Sequence, residues 1–147
     1  MSTTLLRIIA AVVILVVVSL ELVSCGWVKD RCGYPKNFII LKLDKKSKRV
    51  FIQSTVEEIT DLVYAELLIR EIDSYMQTCR SDWSNEYAVS FFTDRKYAGY
   101  HDDESLQPFI LDGTWEKSYL AEFDKFVSTL VRFPMDPKRT QVDKVEL

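Results

Sequence analysis

The stretch "STVEEITDLVYAELLIREIDSYMQTC", residues 54–79, decides the fold because it combines helix-start signals with the longest regular apolar period of the chain. Two overlapping capping boxes open it, since Ser54 and Thr55 each have a glutamate three residues later. Apolar residues then recur at intervals of three and four, the period of one helix face. We therefore predict a long amphipathic helix. Its buried stripe comprises Leu62, Ala65, Ile69, Ile72, Met76 and Cys79, widened by Leu68 and Tyr75.

Two hairpins are predicted on either side of this helix. Before it, "FIILKL" (38–43) and "RVFIQ" (49–53) favour strands, and the polar "DKKSK" between them favours a turn. After it, "YAVSFF" (87–92) and "KYAGY" (96–100) flank "TDR" and predict a second hairpin. The segment "HDDESLQP" that follows is predicted to be a loop.

The last third of the chain predicts a second helix, from Thr114 to Arg132, ended by Phe133-Pro134. A short final strand is expected from Gln141. The order ββαββα(β) predicts one α+β domain over residues 37–147, an antiparallel sheet of two hairpins with two helices on one face. The apolar face of the second helix would comprise Trp115, Tyr119, Phe123, Phe126 and Leu130.

Charge is unevenly distributed along the chain. Residues 25–53 hold eight Lys/Arg against two Asp/Glu, a formal charge of +6, whereas residues 54–147 hold ten against nineteen, a formal charge of −9. The net charge of −3 argues against nucleic acid as a partner. Four glycines form no phosphate-binding loop, so no nucleotide is expected, and a single histidine excludes multi-histidine zinc sites. We expect no cofactor and no metal.

The N-terminus has the pattern of a secretory signal peptide. Residues 8–20 are apolar and uncharged, and Arg7 precedes them. Thirteen helical residues span about 20 Å, short of the ~30 Å of a bilayer core. Extending the run would place Glu21 in hydrocarbon, which is unfavourable. We predict a signal peptide over residues 1–24; an uncleaved anchor over residues 5–28, giving a single-pass membrane protein, is the alternative.

"LVSC", residues 22–25, ends this segment and resembles the lipobox of bacterial lipoproteins. The resemblance implies a diacylglycerol thioether on Cys25, cleavage before it and acylation of the new amine, hence a lipidated tether over residues 25–36 in the cell envelope. Gly26 at the second position implies the outer membrane, facing the periplasm, in a Gram-negative organism. Ordinary cleavage after Gly26 stays open as an alternative.

Lipid on Cys25 would leave Cys32 and Cys79 in an oxidising compartment. Cys79 ends the predicted helix stripe and Cys32 lies just before the first strand, so we predict a disulfide between them. Two buried thiols are the alternative.

Two groups of side chains suggest functions. Alternation along residues 87–92 places Phe92 on the sheet face without helices, together with Tyr97 or Tyr100, which predicts an exposed aromatic patch for a protein or glycan partner. Tyrosines that merely line the sheet are the competing interpretation. The leading hypothesis is a lipid-anchored, non-enzymatic protein-binding module, inhibitor-like, immunity-like or accessory to a larger envelope complex.

The loop after the second predicted hairpin provides the alternative function. His101 is followed by three carboxylates, and a histidine beside a carboxylate can act as a general base. A small envelope hydrolase would use His101 with the carboxylate of Asp102, Asp103 or Glu104. Such acidic clusters are more often solvated loop charges.

Overall fold

The first predicted hairpin is present in the computed structural model, which describes residues 33, 35–83, 85–133 and 143–147. Strands β1 (Ile39–Asp44) and β2 (Arg49–Gln53) pair antiparallel, with Ile40 opposite Ile52. The predicted signal peptide, the lipidation site and the tether up to residue 32 lie outside the described residues.

The long predicted helix is two helices, α1 (Val56–Thr60) and α2 (Leu62–Cys79). Asp61 separates them because its backbone is extended (φ −75°, ψ 104°) and its carboxylate accepts the N–H groups that begin α2. The capping box of Thr55 with Glu58 is confirmed. Most of the predicted stripe is confirmed, since the buried residues of α2 are Ala65, Leu68, Ile69, Ile72 and Met76. The prediction is wrong for Leu62, which is 42% exposed in the first turn of the helix.

The second predicted hairpin is wrong. Strand β3 (Ala88–Phe92) is followed by a 3₁₀ helix over Arg95–Tyr97, whose first turn is fixed because the Asp94 carboxylate accepts the Lys96 N–H. β3 pairs parallel with β2, which the crossover through α2 makes possible.

The second predicted helix is also wrong. After the short helices α3 (Gln107–Leu111) and α4 (Thr114–Ser118), the chain forms a hairpin of β4 (Tyr119–Asp124) and β5 (Thr129–Arg132). The apolar residues assigned to one helix face instead meet across the two strands, as Phe123 does with Leu130. The predicted final strand is confirmed as β6 (Asp143–Glu146), which pairs with β5.

The six strands form one mixed sheet in the order β1-β2-β3-β4-β5-β6, in which only β2 and β3 are parallel. The α+β class and the single folded domain are confirmed, whereas a fully antiparallel sheet with helices on one face is wrong. α1 and α2 cover one face of the sheet. Residues 95–118, which include α3 and α4, cover part of the other face. Among the described residues, no helix combines the length and apolarity needed to cross a membrane.

Candidate functional site

The aromatic residues predicted to form an exposed patch lie in a second core. Phe92 is 1% exposed and stacks on Tyr119 with ring centroids 4.7 Å apart. Tyr97 is half-buried and meets Phe109 edge-on, and Tyr100 packs edge-on against Phe51. The prediction that Phe92 lies on an open face is therefore wrong. The sheet face is closed there because residues 95–118 fold over it, which the sequence did not indicate.

The acidic loop does not assemble a histidine–carboxylate pair. His101 is exposed and its ring lies edge-on to Trp115, with centroids 5.6 Å apart. Asp103 instead accepts hydrogen bonds from the hydroxyl and N–H of Ser105, and these bonds lower the pKa of its carboxyl. Asp102 is exposed, as is Glu104. The described residues contain no group of three or more His, Cys, Asp or Glu side chains placed to hold a metal.

Cys79 is half-buried at the end of α2. Its predicted disulfide partner, Cys32, lies outside the described residues, so the disulfide stays a prediction.

A polar network crosses the covered sheet face beside the aromatic core. The Arg49 guanidinium donates to Ser90 Oγ at 2.8 Å and bonds the Glu122 carboxylate through both terminal nitrogens, at 2.9 and 3.2 Å. The Tyr119 hydroxyl also donates to Glu122. Burial raises the pKa of Glu122, but the bonds from Arg49 and Tyr119 outweigh it and lower the pKa overall. The network is internally paired, so it acts as a cross-strand clamp over three strands.

The solvent-facing side of α2 carries exposed apolar side chains. Val63 is 70% exposed and Leu67 is 56% exposed, one helical turn apart and opposite the buried stripe. Tyr64, 41% exposed, lies beside them and lines a groove of about 240 Å³ with Ile39 of the edge strand β1. We call Val63, Tyr64 and Leu67 the α2 ridge.

The α2 ridge stands in acidic surroundings. Residues 54–79 contain six Asp/Glu against one Lys/Arg, and the single base, Arg70, is paired with Glu66 at 2.6 Å. The ridge was not predicted, because only the apolar residues at the spacing of the buried stripe were assigned to a helix face. Val63 and Leu67 do not follow that spacing. The signal was present: Val63 and Leu67 lie four residues apart on the side that solvent should occupy.

Comparison with family models, with curated proteins and with solved structures finds no match for this chain.

Proposed function

We propose that this chain is a lipid-anchored protein of the bacterial envelope that binds a protein partner through the α2 ridge and catalyses no reaction. The observation that carries the binding role is the exposure of Val63 and Leu67 on the side of α2 opposite its five buried residues. The lipobox-like "LVSC" at residues 22–25 supports the anchor. The clamp of Arg49 and Glu122 and the aromatic core lie on the sheet face that this helix does not cover.

The ridge suits a basic partner with an apolar depression. Each exposed aliphatic side chain that becomes buried contributes roughly 1.5–3 kcal/mol, so two together can anchor an interface. The surrounding carboxylates would steer a positively charged partner towards the ridge and discriminate against acidic proteins. An inhibitor or immunity-like protein, or a subunit accessory to a larger envelope complex, would have this chemistry.

Site-specific photo-crosslinking tests the binding role. A photoreactive amino acid replaces Leu67 in one strain and Leu111, which is 84% exposed on α3, in a matched control strain. We expect one discrete adduct from position 67, with a protein whose net charge is positive, and none from position 111. The variant Glu66→Lys should reduce the adduct several-fold, because it reverses charge beside Leu67 without changing the apolar side chains of the ridge. Identical adducts from both positions, or no adduct from position 67, would contradict the proposal.

Mass spectrometry of the mature chain tests the anchor separately. We expect an N-terminal Cys25 carrying the added mass of diacylglycerol and an acyl group, and loss of membrane attachment in Cys25→Ser. A mature chain that begins at Trp27, or one that retains the leader, would refute lipidation while leaving the binding role to its own test.

A further inference from the structure

The turn between β1 and β2 has a defined construction. Asp44 Oδ1 accepts the N–H of Lys46 at 2.9 Å and that of Ser47 at 3.3 Å. Lys48 then takes a left-handed conformation (φ 50°) before β2 begins. The residues at the centre of the turn are polar, as turns generally are.

The turn between β4 and β5 repeats this construction with opposite side chains. Asp124 Oδ1 accepts the N–H of Phe126 at 2.8 Å and that of Val127 at 3.4 Å. Ser128 then takes the same left-handed conformation (φ 49°). We call residues 44–49 the basic turn and residues 124–129 the apolar turn.

The two turns lie together at one end of the sheet. β2 and β3 are parallel and β3 pairs with β4, so the start of β2 and the end of β4 are at the same end, with Ala88 opposite both Arg49 and Asp124. Ser47 and Lys48 of the basic turn and Phe126 of the apolar turn line one cavity of about 260 Å³. A single binding surface can therefore contact both turns.

The apolar side chains at this end do not serve the core. Phe126 is 77% exposed and Val127 is 55% exposed. Leu147, 39% exposed, lies beside them because its N–H bonds the Ser128 carbonyl at 2.9 Å. A phenylalanine and a valine at the tip of a turn oppose the local preference for polar residues, and such conflicts are expected where a site faces an external ligand.

Two lysines without an ion pair in the described part of the chain lie at this end of the sheet. Lys45 and Lys46 are exposed, and neither makes an ion pair with a carboxylate of the described residues. Lys48 neutralises Glu86. The Asp44 and Asp124 carboxylates keep their charge, but each accepts N–H groups of its own turn. Glu146 of β6, opposite Thr129, is exposed.

We propose that this end of the sheet rests on an anionic lipid surface, with Phe126 and Val127 in the boundary between head groups and acyl chains and Lys45 and Lys46 against lipid phosphates. Apolar side chains rimmed by lysine are the chemistry of interfacial binding. The contact rests on the proposed lipid anchor, which has its own test by mass spectrometry, and it uses none of the residues of the α2 ridge.

Fluorescence quenching by brominated lipid tests the contact. An environment-sensitive fluorescent amino acid replaces Phe126 in the full chain, which is reconstituted into vesicles of phosphatidylcholine and phosphatidylglycerol with bromine on the acyl chains. We expect emission to fall at least about twofold relative to unbrominated vesicles, because an inserted ring lies close to the bromine atoms. The same label at position 111, equally exposed but outside both turns, should keep its emission.

A charge variant and a second label position complete the test. Lys45→Glu/Lys46→Glu should abolish most of the quenching at position 126 without releasing the chain from the vesicles, and vesicles of phosphatidylcholine alone should quench less. The label at position 127 should behave like that at 126, which excludes a folding defect of one labelled chain. Unquenched emission at both positions would overturn the proposal, as would quenching that the lysine substitutions leave unchanged. Neither result bears on crosslinking at position 67.

Discussion

The basic turn and the apolar turn have the same backbone and almost opposite surfaces. In each, an aspartate accepts two consecutive N–H groups and a residue at φ of about +50° returns the chain to the sheet. The side chains between these fixed points are two lysines and a serine in one turn, and a lysine, a phenylalanine and a valine in the other. The backbone of the turn requires neither the polar nor the apolar side chains. We therefore attribute the difference between the two turns to what each surface contacts, and not to how the turn folds.

Removal of the turn aspartates should produce the largest effect on stability. Asp44→Ala loses the turn bonds and the 2.8 Å bond that its carboxylate accepts from the Tyr100 hydroxyl, whereas Asp124→Ala loses turn bonds alone. We expect Asp44→Ala to lower the free energy of unfolding by about 1–2 kcal/mol and Asp124→Ala by less. Urea unfolding of both variants measures this. Equal losses would mean that the Tyr100 bond contributes nothing.

The bond between Tyr100 and Asp44 should make this difference depend on pH. The Tyr100 hydroxyl, followed by that of Ser47, lowers the pKa of the Asp44 carboxyl to about 2. A carboxyl whose pKa is lower in the folded chain stabilises the fold above its unfolded pKa of about 3.9, and the stabilisation is lost as pH falls through 2. Tyr100→Phe should therefore cost about 1 kcal/mol at pH 7. The gap to the parent chain should close in unfolding curves recorded at successively lower pH; a gap that stays constant would exclude Asp44 as the partner.

Glycine at the left-handed position should give a smaller change of opposite sign. Ser128 at φ 49° has a side chain that crowds its own backbone, so Ser128→Gly should raise the free energy of unfolding by up to about 1 kcal/mol. Lys48→Gly should gain less, because it also loses the ion pair with Glu86. Thermal unfolding of the two variants measures these gains. Destabilisation by Ser128→Gly would contradict the claim that the serine side chain strains the turn.

The same two turns explain how far the fold could be predicted. The basic turn was found because "DKKSK" is polar between two β-rich runs, and the first hairpin was correct. The apolar turn was missed because Phe126 continues the spacing of apolar residues begun by Trp115 and Tyr119, so strand, turn and strand together imitate a helix face. An exposed apolar side chain at a turn makes the turn unrecognisable by polarity alone.

The candidate surfaces follow the same logic. Phe92 was placed on an open face because the sequence does not show that residues 95–118 fold back over the sheet, where Leu106 and Trp115 cover the ring. The α2 ridge was visible in the sequence, as apolar residues out of phase with the buried stripe, but its exposure depends on what packs around the helix. Local periodicity predicts the elements, whereas non-local packing decides which of their faces are free.

The free energy of unfolding of a turn exchange tests the central claim, that apolar residues on this surface serve external contacts and not the fold. The variant Phe126→Lys/Val127→Ser/Ser128→Lys gives the apolar turn the side chains of the basic turn and leaves Asp124 in place. We predict a change within about 0.5 kcal/mol, as for other exposed substitutions that leave the backbone bonds intact. A loss of about 2 kcal/mol or more would contradict the claim, because it would show that Phe126 and Val127 hold the fold together.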